Sequence, residues 1–223
     1  MHVLILGGTG PSGLLLIQEF LKTHGDSGSM VIYARTPSKI PQDISSRTNV
    51  TVIKGELDDK AALTSAFDGP KFDAVLSVLG PAQNHPPTRP IAAFYRVFIE
   101  IMAAHGCKRL IALSTPSAKD TRDTFSLATW LLVGFVKFFV NSAYRDIVEA
   151  TEVIKEESTK HGIEWTIVRV PVLTMKTEQR PIAGYAGDGK VGIFLSRHAL
   201  TEFYLNVLGS KEWIGKAPAL SSA

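Results

Sequence analysis

The chain alternates between short runs of consecutive apolar residues and longer segments in which apolar residues recur every three or four positions. The apolar run at residues 3–6 predicts a strand that is buried on both faces, as in a parallel sheet. The spacing of Leu14, Ile17 and Leu21 predicts one face of an amphipathic helix. Strands are predicted at residues 3–6, 30–34, 50–53, 73–79, 110–114 and 165–170, and helices at residues 14–22, 59–67, 91–105, 144–158 and 199–207.

This order of elements predicts the fold class. Strands that alternate with helices form parallel βαβ units with right-handed crossovers. We therefore expect an α/β protein with a single doubly wound Rossmann domain over residues 1–223, in which helices flank a mainly parallel sheet. Repeated prolines between residues 80 and 90 predict a loop, and residues 216–223 are typical of a frayed tail.

A glycine-rich turn directly follows the first strand and opens the first helix. Gly8, Gly10 and Gly13 match G-x-G-x-x-G, and Gly7, Gly10 and Gly13 match the wider G-x-x-G-x-x-G spacing. Glycine at these positions permits a tight turn, close approach of a pyrophosphate and close packing of the helix on the sheet. Pro11 suits the first helical position, where a backbone N–H is not needed. The turn predicts that the helix N-terminus binds the phosphates of a dinucleotide.

The end of the second strand distinguishes between the two nicotinamide cofactors. Proteins that bind NAD usually place an acidic residue there for the ribose 2′-hydroxyl. This chain has Arg35 instead, with Lys39 shortly after it and no carboxylate between residues 33 and 39. Because a guanidinium can bind a 2′-phosphate, we expect NADP (NADPH) as the cofactor; a solvated arginine at a strand end is the alternative.

Composition excludes several other classes of protein. Hydrophobic residues make up 45% and charged residues 20%, and the net charge is only +3 with scattered basic residues, so we expect no nucleic-acid partner. Cys107 is the only cysteine, which rules out an internal disulfide. With no signal-peptide pattern at the N-terminus, we expect a cytoplasmic protein. No cluster has metal-ligand spacing, so we expect no metal.

Residues 125–140 form a strongly apolar stretch. The stretch is shorter than the ~18–20 residues that a bilayer requires and contains Lys137, so we expect no membrane span. It can still lie on a membrane, cover a pocket, belong to the core or form a contact in a homo-oligomer. We expect a substrate wall or lid that favours a hydrophobic, planar small molecule. Its aromatic residues are Phe125, Trp130, Phe135, Phe138 and Phe139.

The glycine-rich motif and the arginine after the second strand resemble those of the atypical short-chain dehydrogenases with NmrA-like, NAD(P)H-binding domains. Within them the chain is most similar to the branch of biliverdin-IX-beta and flavin reductases, from residue 2 to about residue 208. The resemblance implies that Thr9, Gly10, Pro11, Ser12 and Gly13 bind the pyrophosphate. It also implies a 2′-phosphate contact (Arg35, Lys39), an adenine contact (Glu56, Leu57), a ribose contact (Val78, Leu79, Gly80) and a nicotinamide contact (Pro171, Val172).

The catalytic residues are less clearly marked. Typical short-chain dehydrogenases use Ser, Tyr and a Lys four residues after the Tyr. Ser114 and Tyr144 occupy matching places, but position 148 is Val148. Either hydroxyl can supply a proton, or water can do so during direct hydride transfer. His85 and His198 are typical of structural or solvated histidines. An NADPH-dependent reductase is the first hypothesis, and a non-catalytic NADP(H) sensor or an isomerase or cyclase remains open.

Overall fold

The computed structural model describes residues 1–81, 84–177 and 180–223. The predicted loop at 80–90 includes residues 82 and 83, which lie outside the described residues. The strands are β1 (His2–Leu6), β2 (Ser29–Ala34), β3 (Val50–Lys54), β4 (Ala74–Ser77), β5 (Arg109–Ser114), β6 (Glu164–Arg169), β7 (Val172–Thr174), β8 (Pro181–Gly184), β9 (Phe194–Ser196) and β10 (Ala219–Ser222). The α-helices are α1 (Pro11–His24), α2 (Gln42–Ser45), α3 (Lys60–Ser65), α4 (Pro90–Ala104), α5 (Leu127–Phe139), α6 (Asn141–His161) and α7 (Arg197–Leu208).

The main sheet has the strand order β3-β2-β1-β4-β5-β6-β10-β8. The first six strands are parallel, and only β8 runs antiparallel, against β10. This confirms the predicted Rossmann-type α/β fold with a mainly parallel sheet. The chain order reverses between β1 and β4, and the carboxyl ends of strands at such a point form the usual ligand crevice of an open α/β sheet.

The two faces of the sheet carry separate hydrophobic cores, which explains the apolar runs in the sequence. In β1, Leu4 and Leu6 belong to the core that includes α4 and α6, whereas Val3 and Ile5 belong to the core that includes α1 and α7. All four side chains are at most 1% exposed. A strand between two helical layers has no solvent face, and therefore no polar alternation.

The predicted frayed tail at residues 216–223 was wrong. Residues Ala219–Ser222 form β10, which pairs in parallel with β6 and antiparallel with β8. Ala219 and Leu220 are at most 2% exposed. The short segment is a strand because of pairing with residues far away in the chain, which local pattern does not reveal. The strands β7, β8 and β9 were not predicted either, and β7 and β9 pair as a separate two-stranded sheet.

The apolar stretch forms helix α5, none of whose residues is buried. The five aromatic side chains expected to enclose a water-poor pocket are between 60% and 80% exposed. That expectation is corrected: α5 turns its aromatic residues outward. In the described part of the chain, no single helix is long and apolar enough to cross a membrane, and α5 and α6, which meet at 116°, reach that length and hydropathy only as a bent pair.

Candidate functional site

A cavity of about 700 Å³ lies at the carboxyl ends of β1, β2 and β4. Nine residues predicted to bind the cofactor line it: Gly7, Thr9, Gly10, Arg35, Glu56, Leu57, Val78, Leu79 and Gly80. The topology brings them together because the loops that follow parallel strands all begin at the same edge of the sheet. A second cavity, of about 440 Å³, lies between α1 and α7 beside Met1; His198 lines it, and it contains none of the predicted site residues.

The glycine-rich turn has the geometry of a phosphate-binding loop. Gly7 has φ +78°, and its carbonyl oxygen accepts a hydrogen bond from the Gly10 amide at 3.2 Å. A Cβ at position 13 would come within 2.2 Å of the Gly7 oxygen, so glycine is required there by the protein itself. A Cβ at position 10 would meet only the Gly7 oxygen, at 3.6 Å. Glycine at position 10 therefore leaves room on the open side of the turn, where a ligand can approach.

The N-terminus of α1 carries no group that competes for an anion. Gly10 is the N-cap and supplies no side-chain hydrogen bond, Pro11 stands at the first helical position, and the first turn contains no acidic residue. The first backbone amides of a helix have no partner within the helix and carry its positive dipole end. The amides of Ser12 and Gly13 are thus suited to a phosphate. Pro11, Ser12 and Gly13 are not among the residues that line the cavity.

The end of β4 forms the opposite wall beside the turn. The Val78 amide donates a hydrogen bond to the Leu6 carbonyl at 3.0 Å. A Cβ on Gly7 would come within 2.9 Å of the Val78 carbonyl. This close approach of the two strand ends puts Val78, Leu79 and Gly80 next to the glycine-rich turn; that they contact the ribose stays a prediction from the resemblance.

The end of β2 carries charges of both signs. Arg35 and Lys60 line the cavity together with the exposed carboxylates Glu56 and Asp58. Glu56, Asp58 and Lys60 arrive from the segment after β3, which local sequence around β2 does not reveal. Lys39 is exposed and is not among the residues that line the cavity.

Tyr33 holds the segment after β3 in place. Its hydroxyl donates a hydrogen bond to the Glu56 carbonyl at 2.8 Å. A Cβ on Gly55 would lie within 2.0 Å of that hydroxyl oxygen. Glycine at position 55 therefore leaves the space that the Tyr33 phenol occupies. Burial, followed by the neighbouring carboxylates of Asp59, Glu56 and Asp58, raises the pKa of Tyr33 to about 12. Tyr33 therefore acts as a neutral hydrogen-bond donor at physiological pH.

The predicted catalytic residues lie outside the residues that line the cavity. Ser114 is 1% exposed, and its hydroxyl lies 2.7 Å from that of Thr151. Thr151 donates its own proton to the Ile147 carbonyl at 2.7 Å, so the Ser114 proton bonds to Thr151. Tyr144 is half-buried at the start of α6, with the Lys137 ammonium 5.8 Å from its ring centroid.

The two residues predicted to contact the nicotinamide also lie apart from the lining. Pro171 and Val172 are absent from the wall of the cavity, and Val172 begins β7, where its amide bonds to the Ile193 carbonyl at 3.1 Å. Among the described residues, no group of three His, Cys, Asp or Glu side chains is arranged to hold a metal ion.

A histidine–carboxylate pair was missed by sequence reasoning. His85 lines the cavity, and its Nε2 lies 2.6 Å from Oδ2 of the fully buried Asp146. Asp146 also accepts hydrogen bonds from the amides of Ile91 at 3.0 Å and Ala92 at 2.8 Å. The carboxylate of α6 therefore caps the N-terminus of α4 and fixes the imidazole. The sequence contained one signal: Arg89, immediately before Pro90, cannot accept such amide hydrogen bonds, so α4 needs a distant acceptor.

A buried ion pair lies at the carboxyl end of β6. Arg169 at the end of β6 is fully buried and donates to Asp123 at 2.6 and 2.8 Å, and also to the carbonyls of Ala118 and Ala217. Burial alone raises the pKa of Asp123, but its hydrogen bonds, above all from Arg169, lower that pKa overall. The pair joins the segment before α5 to the sheet.

Solved structures with similar folds cover nearly the whole chain. A wide-type short-chain dehydrogenase/reductase from Veillonella parvula, in complex with NADP, is 18% identical with a TM-score of 0.78, over 99% of this chain and 94% of that chain. ChuY, an anaerobilin reductase from Escherichia coli O157:H7, is 16% identical with a TM-score of 0.77, over 99% and 97% of the two chains. At these identities the similarity shows the fold.

Sequence comparison places the chain in a family. UDP-glucose 4-epimerase 4 of Oryza sativa subsp. japonica is 26% identical over 211 residues, 86% of this chain and 53% of the epimerase. The chain spans about half the length of the curated relatives that it matches. A family model described as NAD(P)H-binding matches residues 7–211, most of the chain. The protein belongs to this NAD(P)H-binding family, as its glycine-rich turn and Rossmann fold indicated.

Proposed function

We propose that the protein is an NADPH-dependent oxidoreductase that reduces a hydrophobic or aromatic small molecule, with residues 1–223 acting as a single cofactor-binding domain. The observation that carries the proposal is that one cavity joins the uncapped N-terminus of α1, with open space at Gly10, to the guanidinium of Arg35. A dinucleotide with a 2′-phosphate carries anionic groups that suit both ends of such a cavity. When bound, NADPH supplies the hydride.

The fit to NADPH follows from the residues around the cavity. The amides of Ser12 and Gly13 would hold the pyrophosphate, and Arg35, supported by Lys39, would bind the 2′-phosphate. The adenine would lie beside Glu56 and Leu57, and the ribose against residues 78–80. Glu56 and Asp58 also reach the cavity and suit a 2′-hydroxyl, so the balance between Arg35 and these carboxylates decides between NADPH and NADH.

The proposed character of the substrate is supported by the apolar part of the cavity wall. Pro86, Pro90, Ile91 and Phe94 line the cavity and offer few hydrogen-bonding groups. An apolar wall of this kind favours a planar or aliphatic molecule over a small polar one. Pro171 and Val172, after β6, remain our candidates for the nicotinamide contact by resemblance.

His85 is our candidate for the proton donor. Because the Asp146 carboxylate can only accept, Nε2 of His85 would carry a proton, and Nδ1, which has no hydrogen-bond partner among the described residues, would exchange a proton with a substrate. The side chain is 5% exposed and lines the cavity, so that substrate would have to lie inside the cavity. After hydride addition to an electrophilic carbon, an imidazolium at this position would give its Nδ1 proton to the substrate oxygen and return to the neutral form. Ser114 would reach a substrate only after release from Thr151, and Tyr144 remains a prediction from the family pattern.

The non-catalytic NADP(H) sensor is the second candidate. It is favoured by the internal hydrogen bond of Ser114 and by the absence of a lysine four residues after Tyr144. NADPH oxidation, followed by absorbance with FMN, menadione and aromatic ketones as acceptors, separates the two. Turnover with at least one acceptor is expected. Saturable NADPH binding without any turnover would favour the sensor, and failure to bind NADPH would overturn both.

A further inference from the structure

Helix α5 presents an apolar surface to solvent. Of the twelve large hydrophobic residues that are exposed among the described residues, eight lie between residues 125 and 140. We call the exposed apolar side of this helix the α5 face. The α5 face consists of Leu127, Trp130, Leu131, Phe135, Phe138 and Phe139. None of these residues lines the cavity of the candidate site, so the face is a separate feature.

The protein holds the α5 face outward. Thr129, Leu132, Val133 and Val136 are half-buried and recur at the helical spacing of a single stripe, which rests on the body of the protein. The Ser126 side chain caps the helix by accepting a hydrogen bond from the Thr129 amide at 3.3 Å. The segment before it is fixed to β6 by the buried pair described above. These contacts hold α5 in one orientation, in which the aromatic side chains of the α5 face are exposed. A segment without such contacts could rotate and bury them.

The width of the face argues against a flat protein partner. At about 100° per residue, Trp130 and Phe139 lie about 180° apart around the helix axis, with the other residues of the face between them. A second helix or sheet packed against one side would leave one flank exposed. A helix that lies in a bilayer surface buries its apolar face about 5–10 Å into the boundary between headgroups and acyl chains, which covers both flanks at once.

The charged residues near α5 also favour a membrane surface as the partner of the α5 face. Residues 125–145 contain no Asp or Glu, and their two basic residues, Lys137 and Arg145, are exposed. Neither of them forms an ion pair with another described residue. Lys137 follows Trp130 by two helical turns and stands on the same flank. Cations beside an apolar face, with tryptophan and phenylalanine on it, are the composition of helices that bind anionic lipid surfaces.

We propose that α5 is a membrane-surface anchor that lies in the plane of an anionic bilayer leaflet. The α5 face enters the boundary between headgroups and acyl chains, and Lys137 and Arg145 contact lipid phosphates. The helix does not cross the bilayer. This inference is independent of the oxidoreductase activity, and no cofactor is needed to test it.

Vesicle co-sedimentation of the full chain tests the proposal. Wild-type protein is expected to bind vesicles of phosphatidylcholine with about 30 mol% phosphatidylserine, and to bind pure phosphatidylcholine more weakly. The double variant W130S/F138S should lose about tenfold or more in lipid affinity. F194S removes a phenylalanine that is 57% exposed outside the face and is the matched control, which should bind like wild type. All of these positions are exposed, so the variants should fold.

Tryptophan fluorescence locates the contact. Emission should shift to the blue when wild type binds the vesicles, and W130F should still bind but lose most of that shift. Trp130 is 63% exposed, whereas Trp165 and Trp213 are half-buried. The proposal is overturned if wild type does not bind these vesicles, or if F194S loses as much affinity as W130S/F138S. It is also overturned if light scattering shows a dimer that W130S/F138S converts to a monomer without any lipid binding, because the face would then be a contact between two copies of the chain.

Discussion

Nε2 of His85 lies 2.6 Å from a carboxylate oxygen of Asp146 that is fully enclosed by protein. The same side chain accepts two amide hydrogen bonds at the start of α4, so three donors depend on one buried acceptor. We expect D146N to lower the free energy of unfolding by about 2–4 kcal/mol, because a buried amide cannot satisfy all three donors. Urea denaturation measures the change.

E152Q is the control for D146N. Glu152 lies on the same helix, but its side chain is 53% exposed and, among the described residues, pairs with Lys155 alone. Its substitution should change the free energy of unfolding by less than about 0.5 kcal/mol. Equal effects of D146N and E152Q would show that Asp146 does not hold α4 and His85 together.

The proposed role of His85 predicts a specific kinetic defect. With the acceptor that gives the highest turnover, H85Q should lower kcat by about 100-fold, since proton transfer by a positioned side chain contributes about that much. The dissociation constant for NADPH, measured by fluorescence titration, should change by less than about threefold. An unchanged kcat would exclude His85 as the proton donor, and a parallel loss of NADPH affinity would show that it serves cofactor binding instead.

The buried pair of Arg169 and Asp123 predicts how stability depends on acid. The pKa of Asp123 is lowered in the folded protein, so its contribution is fully present above the unfolded value of about 3.9 and is lost as the pH falls through the lower folded value. D123N should lower the free energy of unfolding by about 3–5 kcal/mol at pH 7, because it leaves a buried guanidinium uncompensated.

Below pH ~4 the difference between D123N and wild type should shrink. Denaturation curves at several pH values test whether this stability difference decreases as the pH falls. D68N, at an exposed turn, is the control. A difference between D123N and wild type that stayed constant down to pH ~2 would contradict the assignment.

Cys107 is expected to be unreactive in the folded protein. The thiol is fully buried, and burial raises its pKa to about 11. Because the thiolate is the reactive form, Ellman's reagent at pH ~8 should label less than about a tenth of the native protein and all of the denatured protein. Stoichiometric labelling within minutes under native conditions would show that this part of the core opens readily.

The two glycines Gly10 and Gly13 should behave differently when replaced by alanine. G13A forces a Cβ within 2.2 Å of the Gly7 oxygen, so it should destabilise the fold by several degrees in Tm as well as abolish cofactor binding. G10A meets no protein atom closer than 3.6 Å, so it should keep the wild-type Tm while weakening NADPH binding about tenfold or more. If G10A bound NADPH as tightly as wild type, the open side of the turn would not be the phosphate site.

Most of the fold was predictable from the sequence because its elements are defined locally. Residues 3–6 of strand β1 are all apolar because they lie between two helical layers, and Asp59 caps α3 locally by accepting a hydrogen bond from the Ala62 amide at 2.9 Å. The tail was mispredicted because β10 exists only through pairing with β6 and β8. No periodicity within four residues could have revealed those partners.

The candidate site was predictable only in part. Residues that follow the strand ends gather at the cavity because topology alone brings them there. The His85–Asp146 pair joins residues 61 positions apart, and the hydroxyl of Ser114, at the end of β5, is hydrogen-bonded to Thr151 of α6. The outward direction of α5 likewise depends on tertiary packing, since a fully apolar helix usually lies in a core. Each of these features requires the relative placement of helices, which sequence pattern does not specify.

Titration of the purified protein with NADPH and NADH, for wild type and R35Q, tests the central claim most directly. Wild type should bind NADPH saturably and at least about tenfold more tightly than NADH, and R35Q should lose that preference, because a charge-assisted hydrogen bond contributes about 1.5–3 kcal/mol. R47Q, at an exposed arginine outside the cavity, should behave like wild type. Absence of saturable binding by either cofactor, or an NADPH preference that R35Q leaves unchanged, would contradict the account.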